Sequence, residues 1–230
     1  MKSLIILLML LSWTLVCQNK DQYESAREQM VRSQIVARGI NDQATLRAMR
    51  KVPRHLFVPA SYIKEAYSDR PLPIGYSQTI SQPLIVAYMT ELVKPSKGKK
   101  ALEIGTGSGY QAAVLAEIVD TVYTIEIVKE LATEAAARLK ILGYKNIVVK
   151  YGDGYKGWPE HGPFDIIIVT AAADHIPQPL KDQLAEGGRL VMPVGNPVAA
   201  QELVLLTKRN GKITEQRLEP VWFVPLKRLR

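Results

Sequence analysis

Three glycines at alternate positions follow an apolar segment and form the pattern with the most chemical content. They lie in residues 101–110 (ALEIGTGSGY), and a helical pattern begins at Tyr110. Glycine lets a backbone approach a ligand closely, and free N–H groups at a helix start bind polar groups. The third glycine comes one residue earlier than in the dehydrogenase fingerprint. The spacing favours the ammonium-bearing end of S-adenosylmethionine over a pyrophosphate, with an ordinary turn as the alternative. The residues concerned are Glu103, Gly105, Gly107 and Gly109.

Two further acidic residues follow predicted strands. Glu126 ends the second strand, 21 residues after Gly105. At that distance in a nucleotide-binding α/β fold, a carboxylate accepts hydrogen bonds from both ribose hydroxyls. Asp153, followed by Gly154, comes after the third strand and could reach an adenine amino group. Alone, Glu126 could be a surface glutamate and Asp153 part of a turn. Together with the glycines they predict a nucleoside cofactor along the carboxyl edge of a sheet.

The composition limits other chemistries. The chain has 230 residues, 47% of them hydrophobic, which is enough for one large domain with a substantial core. Its net charge is +8, but the basic residues are scattered and lack interleaved aromatics, so we expect a solvated surface and no nucleic-acid partner. Cys17 is the only cysteine and the three histidines are far apart, so we expect no metal site.

The first 17 residues have the pattern of an export signal. Lys2 precedes an apolar run at residues 4–16, and Cys17 ends it. The run is too short to span a bilayer comfortably. It resembles a bacterial lipoprotein signal, although Val16 stands where a small residue is usual. We expect export to the periplasm or cell envelope, with membrane contact only through this leader or a lipid on Cys17. An uncleaved anchor, a misassigned start and a cytoplasmic protein are the alternatives.

The chain from residue 22 to residue 226 is predicted to form a single domain that begins with helices. Helical spacing covers residues 22–38 and 42–51. Prolines bound a rigid connector at 52–59, which we expect to lack regular structure. Residues 67–82 are predicted to be a loop, and Pro83 opens a helix to residue 93.

After residue 100 the pattern alternates between strands and helices. Apolar strands such as 164–170 are typical of a parallel sheet buried on both faces. Asn210 and Gly211 predict a hairpin near the C-terminus. The expected architecture is a Rossmann-like, doubly wound α/β fold with a mostly parallel sheet, an antiparallel C-terminal edge and a helical N-terminal extension. Strands are predicted at 100–104, 121–126, 146–150, 164–170 and 188–194, and helices at 110–118, 128–142 and 177–184.

Several segments resemble the protein-L-isoaspartate O-methyltransferases, a family of class I S-adenosylmethionine-dependent methyltransferases. The resemblance extends from about Tyr23 to Leu226, and the hydrophobic leader departs from the family, whose members are mostly cytosolic. The matching segments are 52–59 (VPRHLFVP), 72–75 (LPIG), 78–83 (QTISQP), 103–111 (EIGTGSGYQ), 187–195 (GGRLVMPVG) and 223–226 (FVPL).

The resemblance implies methylation of the free α-carboxyl of L-isoaspartyl residues in damaged proteins, after which the ester collapses to a succinimide. It implies that Ser81 is the catalytic residue and that Thr79, Ile80 and Ser81 contact the cofactor. An α-carboxyl has a pKa of about 3.5 and is already anionic at pH 7, so alignment matters more than a base. Ser81 could instead cap a helix. Asp174 and His175 could form an acid–base pair or belong to an ordinary loop.

Two other functions fit the same residues. A methyltransferase of this fold could act on RNA or on a small molecule, and the positive net charge is the one feature that supports it. An exported, catalytically silent binding module could retain the fold as a scaffold. The segment from Thr79 to Pro83 favours the isoaspartyl substrate over RNA or a small molecule. The intact residues Glu103, Glu126, Asp153 and Ser81 disfavour the silent module.

Overall fold

The N-terminal extension is helical, as predicted. The computed structural model describes residues 22–196 and 199–229, so the predicted leader and Cys17 lie outside the described residues. Helix α1 (Glu24–Met30) continues into a π-helical turn (Val31–Ile35) and a 3₁₀ turn (Val36–Arg38). Helix α2 (Gln43–Lys51) begins after Asp42, whose carboxylate accepts a hydrogen bond from the backbone N–H of Thr45 at 2.7 Å.

Two segments that were predicted to lack regular structure form short elements instead. The connector contains a 3₁₀ helix (Arg54–Phe57), because its flanking prolines fix only their own backbone and leave the residues between them free to turn. A second 3₁₀ helix covers Ala60–Glu65. Residues 72–80 form a hairpin of strands β1 (Leu72–Gly75) and β2 (Gln78–Ile80). Tyr76 and Ser77 form its turn with positive φ angles. Neither is a residue type that usually occupies such a turn, so the sequence did not predict the hairpin. Helix α3 (Pro83–Leu92) follows.

The remaining residues form a seven-stranded sheet with helices between its parallel strands, and the predicted fold class is confirmed. The strand order is β5-β4-β3-β6-β7-β8-β9, parallel from β5 to β7 and antiparallel for β8 and β9. In chain order the elements are β3 (Lys100–Ile104), α4 (Tyr110–Ala116), β4 (Thr121–Glu126), α5 (Lys129–Ile141), β5 (Ile147–Tyr151), 3₁₀ turns at Gly154–Lys156 and Pro159–His161, β6 (Phe164–Val169), α6 (Gln178–Asp182), β7 (Leu184–Val194), β8 (Gln201–Arg209) and β9 (Lys212–Val221).

Strand β7 begins four residues earlier than predicted, and helix α6 is correspondingly shorter. The pairing with β6 shifts between Leu184 and Arg189, so the extra residues form an irregularity in the strand. Gly187 and Gly188 lie in it, and Gly187 has a φ of +75°. Glycines are typical of loops, so the irregular part of β7 was not predicted as a strand.

Both faces of the sheet are buried. On β6, Ile166 and Ile168 pack with the N-terminal helices, while Ile167 and Val169 pack on the opposite face with α6 and β7. This alternation follows from the pleat of a strand. Because β3, β4, β5 and β6 run parallel to one another, their carboxyl ends meet at one edge. The connections from β3 and β6 leave toward opposite sides of the sheet there, which is where open α/β sheets bind ligands.

Candidate active site

The glycine loop between β3 and α4 is held in a backbone conformation that favours glycine. Gly105, Gly107 and Gly109 have φ angles of +96°, +52° and +87°. A Cβ on Gly105 would lie 2.4 Å from Oγ1 of Thr170, at the end of β6. That hydroxyl donates to the carbonyl oxygen of Gly105 at 2.8 Å. The loop is therefore packed tightly against the neighbouring strand end.

Glu126 links the glycine loop to the end of β4. One carboxylate oxygen accepts from the N–H of Gly107 at 2.7 Å, and the other accepts from the N–H of Val128 at 2.9 Å. The side chain is 5% exposed and lines a cavity at this edge. Each oxygen keeps one lone pair, so the carboxylate can still accept hydrogen bonds from a diol. The sequence predicted that Glu126 accepts hydrogen bonds from ribose hydroxyls, but not that it accepts them from these two backbone N–H groups.

Glu103 lies beneath the glycine loop and is fully buried. It accepts a hydrogen bond from the hydroxyl of Thr124, which is 2.6 Å from the hydroxyl of Thr106. Its other oxygen has no partner among the described residues. Burial raises the pKa of Glu103 to about 8, opposed by the Thr124 hydrogen bond and reinforced by the charge of Glu126. Glu103 is not among the residues that line the cavity, so its predicted contact with an ammonium group stays a prediction.

Asp153 and Gly154 follow β5. The carboxylate of Asp153 accepts from the N–H of Tyr155 at 3.0 Å and lies 3.8 Å from the guanidinium of Arg228. Gly154 lines the cavity, and a Cβ there would lie 2.2 Å from the side chain of Ile104. A larger residue would therefore displace the end of β3. The predicted contact of Asp153 with adenine stays a prediction.

The lining of the cavity has the chemical groups that an adenosyl group attached to an amino acid requires. Acceptor oxygens of Glu126 lie beside the backbone of the glycine loop, and isoleucine side chains supply apolar walls for a flat base. A carboxylate, backbone groups and apolar walls together can hold a ribose, an amino-acid end and a purine. The lining residues are Gln78, Thr79, Ile104, Gly105, Gly107, Ile125, Glu126, Ile127, Gly154, Thr170, Ala171 and Val224 to Lys227.

A groove adjoins this cavity and shares part of its wall. Thr79, Thr170 and Val224 line both, so the two spaces meet at these residues. Ser81 is half-buried in the groove, and the N-cap residue of α3 is Gln82, not Ser81. The groove residues are Pro71, Thr79, Ser81, Gln82, Ile85, Thr170 and Pro220 to Val224.

Six candidates from the sequence line neither space: Glu103, Gly109, Asp153, Ile80, Asp174 and His175. Ile80 is 3% exposed and its side chain packs in the core, so any contact of Ile80 with a cofactor would use its backbone. Asp174 and His175 form a 2.6 Å contact, but both are well exposed.

Sequence reasoning gave no site role to residues 224–227, which line the cavity. The N–H of Ala172 donates to the carbonyl of Val224, and the N–H of Leu226 donates to the carbonyl of Ala172. This segment therefore runs beside the residues after β6.

No group of three or more His, Cys, Asp and Glu side chains within residues 22–196 and 199–229 could hold a metal ion. No helix within those ranges has the length and apolar character that a membrane crossing requires.

Comparisons with known proteins agree on one family. The family model described as protein-L-isoaspartate(D-aspartate) O-methyltransferase matches residues 25–230. A protein-L-isoaspartate O-methyltransferase of Gloeobacter violaceus is 60% identical over 199 residues, covering 86% of this chain and 97% of that protein. One of Opitutus terrae is 58% identical over 210 residues, covering 90% of each chain.

Solved structures give the same result. A crystal structure from Plasmodium falciparum, described as a protein-L-isoaspartate O-methyltransferase in complex with S-adenosyl-L-homocysteine, has a TM-score of 0.74 and 30% identity. The match covers 90% of this chain and 99% of that one. Another protein-L-isoaspartate O-methyltransferase has a TM-score of 0.79 and 30% identity over 86% of this chain. The present chain spans 65% of that longer one, slightly less than two thirds.

Proposed function

Because the chain belongs to the protein-L-isoaspartate(D-aspartate) O-methyltransferase family, we propose that its two adjoining spaces hold the two reactants of that family's reaction. The enzyme transfers a methyl group from S-adenosyl-L-methionine to the free α-carboxyl of L-isoaspartyl residues in proteins, which begins their repair. The observation that carries the assignment of sites is the wall that the spaces share at Thr79, Thr170 and Val224. A methyl group passing between them would cross at these residues.

The cavity at the carboxyl edge is the proposed cofactor site. S-adenosylmethionine supplies an electrophilic methyl group on a positively charged sulfur. Glu126 would accept hydrogen bonds from the ribose hydroxyls through the lone pairs that its backbone bonds leave free. Gly105, Gly107 and Gly109 would let the backbone approach the amino-acid end, and Asp153 with Gly154 would hold the adenine.

The groove is the proposed site for the isoaspartyl carboxylate. None of the residues that line it in the described part of the chain is ionisable, whereas Thr79, Ser81 and Thr170 bring hydroxyl groups. The hydroxyls of Thr79 and Ser81 can orient a carboxylate by donating hydrogen bonds to it, whereas Thr170 donates its proton to the carbonyl oxygens of Ile104 and Gly105. No positively charged side chain in the groove lining then draws electron density from the attacking oxygen. The carboxylate is anionic at pH 7, so no general base is required. The catalytic contribution of Ser81 and its neighbours would be alignment and exclusion of water.

Matched peptides test this function. The enzyme is incubated with cofactor labelled on its methyl group and with peptides that differ only in an isoaspartyl or an aspartyl linkage. We expect base-labile methyl ester on the isoaspartyl peptide alone. Equal labelling of both peptides, or labelling of RNA or a small molecule in place of either, would contradict the assignment. Cofactor binding without any transfer would instead support a silent binding module.

The predicted contact between Glu103 and the cofactor's ammonium has its own test. With a pKa of about 8, Glu103 holds its proton at pH 7. An ammonium nearby would favour the ionised carboxylate and lower that pKa, so cofactor binding would release close to one proton. Calorimetry at pH 7 in buffers of different ionisation enthalpy measures this release. Glu103→Gln should abolish it, and the absence of release in the native protein would limit Glu103 to supporting the loop.

We also propose that the enzyme works outside the cytoplasm, with its mature chain beginning at or near Cys17. The support is the sequence alone: Lys2, the apolar run at residues 4–16 and the single cysteine that ends it. The cofactor is made in the cytosol and would have to reach the enzyme. Cell fractionation with N-terminal mass spectrometry tests the proposal. An acylated or trimmed N-terminus in the envelope fraction is expected, and an intact Met1 on a cytosolic chain would refute it.

A further inference from the structure

Trp222 presents a large aromatic ring at the edge of the groove. Its side chain is 74% exposed, more than any other aromatic residue in the described ranges. The backbone on both sides is nevertheless fixed, because Val221 pairs with Gln201 across the sheet and the N–H of Phe223 donates to the Gln201 side chain at 2.8 Å. An exposed tryptophan on a fixed backbone is suited to binding, since its large ring has only two rotatable bonds to restrict when a partner covers it.

The groove beside Trp222 is apolar and uncharged. Pro71, Ile85, Pro220 and Val221 supply carbon surface, and the polar side chains among the described lining residues are hydroxyls and one amide. That amide, on Gln82, is held by Asp69, whose carboxylate accepts from it at 2.7 Å and also pairs with Arg38. A charged side chain entering the groove would lose hydration without gaining a counter-ion, whereas an apolar one would gain from burial.

We propose that Trp222 is a specificity-determining residue that packs against an apolar side chain adjacent to the isoaspartyl residue of the polypeptide substrate. The proposal rests on the function proposed above and names the sequence context that the groove selects. The occupant is a polypeptide because the family's reaction is on proteins, and because the groove that Trp222 lines meets the cofactor cavity at Thr79, Thr170 and Val224. Damaged proteins that expose normally buried, apolar segments would then be preferred over damage in charged surface loops.

The experiment compares two isoaspartyl peptides in four proteins. One peptide has leucine or phenylalanine on both sides of the isoaspartyl residue, and the other has glutamate there. The proteins are the native enzyme, Trp222→Ala, Trp222→Phe and the control Ile141→Ala, which removes another exposed apolar side chain from helix α5. The readouts are kcat and KM for each peptide, cofactor affinity by calorimetry and oligomeric state by analytical ultracentrifugation.

We expect the native enzyme to favour the apolar peptide about tenfold in kcat/KM, mainly through KM. Trp222→Ala should reduce this preference to about twofold, with kcat and cofactor affinity unchanged, and Trp222→Phe should keep most of it. Ile141→Ala should behave as the native enzyme.

Three outcomes would overturn the proposal: no preference in the native enzyme, a preference that survives Trp222→Ala, or a dimer that dissociates on Trp222→Ala without any change in peptide preference. The last would identify the ring as a contact between copies of the chain. Failure of the native enzyme to methylate either peptide would instead refute the proposed function.

Discussion

The cofactor cavity and the substrate groove are built in different ways, although they share a wall. The cavity is formed largely by the ends of adjacent parallel strands, and hydrogen bonds fix its parts, such as those from Gly107 and Val128 to the buried Glu126. The groove is formed by the β1–β2 hairpin, the start of α3 and the residues after β9, and several of its side chains are half-buried or exposed. A ligand that is identical in every turnover suits the first design. A substrate whose sequence varies suits the second.

This difference has a consequence for mutations. The cavity's functional groups also hold the strands and loops together, so changes there should reduce stability and cofactor affinity at the same time. In the groove, Thr170 and Gln82 hydrogen-bond to neighbouring residues, but Ser81 is half-buried and Trp222 is exposed, so changes at these last two residues should alter turnover or substrate choice alone. The four predictions that follow test this contrast, from the largest expected effect to the smallest.

Gly105→Ala should have the largest effect. The new methyl group meets the Thr170 hydroxyl at a distance of 2.4 Å, and the residue keeps a φ of +96°. We expect a loss of about 3 kcal/mol in the free energy of unfolding, together with a fall of at least a hundredfold in cofactor affinity. Chemical denaturation and calorimetry measure the two quantities.

Gly98→Ala is the control for Gly105→Ala. Gly98 also has a positive φ, +81°, but a Cβ there meets no atom within 4 Å. It should cost about 1–2 kcal/mol of stability and leave cofactor affinity intact. Equal effects of the two substitutions on affinity would show that the close contact with Thr170 is unimportant.

Glu126→Ala should weaken cofactor binding by about 1.5–3 kcal/mol, the range for hydrogen bonds to a charged acceptor. It should also destabilise the fold, because the N–H groups of Gly107 and Val128 lose their acceptor. Calorimetry and denaturation of the same preparation test both effects, with the exposed Glu160→Ala as control. Native affinity in Glu126→Ala would refute the assignment of the ribose site.

Ser81→Ala should impair the function of the groove without affecting the cavity. We expect kcat on an isoaspartyl peptide to fall about tenfold, since one hydrogen bond to the carboxylate is lost, while stability and cofactor affinity stay close to native values. Steady-state kinetics and calorimetry check this, with the exposed Ser61→Ala as control. Unchanged turnover would remove Ser81 from the catalytic groups, and a large loss of stability would contradict the contrast between the two regions.

Part of the cavity was predictable from the sequence because several of its residues lie at the ends of consecutive strands. Parallel strands bring their carboxyl ends to one edge, so Gly105, Glu126 and Gly154 converge without any knowledge of side-chain packing. What the sequence could not give was the burial of Glu103 and the backbone bonds of Glu126. Both depend on how the glycine loop folds over its neighbours, which no spacing rule describes.

The groove was less predictable. Its two halves are more than a hundred residues apart, and their contact depends on β9 returning across the sheet. The β1–β2 hairpin was missed because Tyr76 and Ser77 adopt positive φ angles without the usual turn residues. Only the family resemblance drew attention to Ser81 and to residues 223–226, and it did not indicate that these segments face each other.

Arg228→Ala should give the smallest effect and tests how the C-terminal segment covers the cavity. The Arg228 guanidinium lies 3.8 Å from the Asp153 carboxylate and 4.7 Å from the ring centre of Tyr155, but its side chain is 65% exposed. An exposed ion pair and a cation–π contact each contribute at most about 1 kcal/mol. We therefore expect cofactor dissociation, measured by stopped-flow fluorescence, to become about threefold faster, with Arg228→Lys intermediate because a point charge stacks poorly. The exposed Arg209→Ala should match the native protein. If cofactor dissociation from Arg228→Ala is as slow as from the native protein, the backbone bonds between Ala172 and residues 224–226 are sufficient to hold the segment in place. This part of the cavity wall would then be fixed by hydrogen bonds, as the rest of the cavity is.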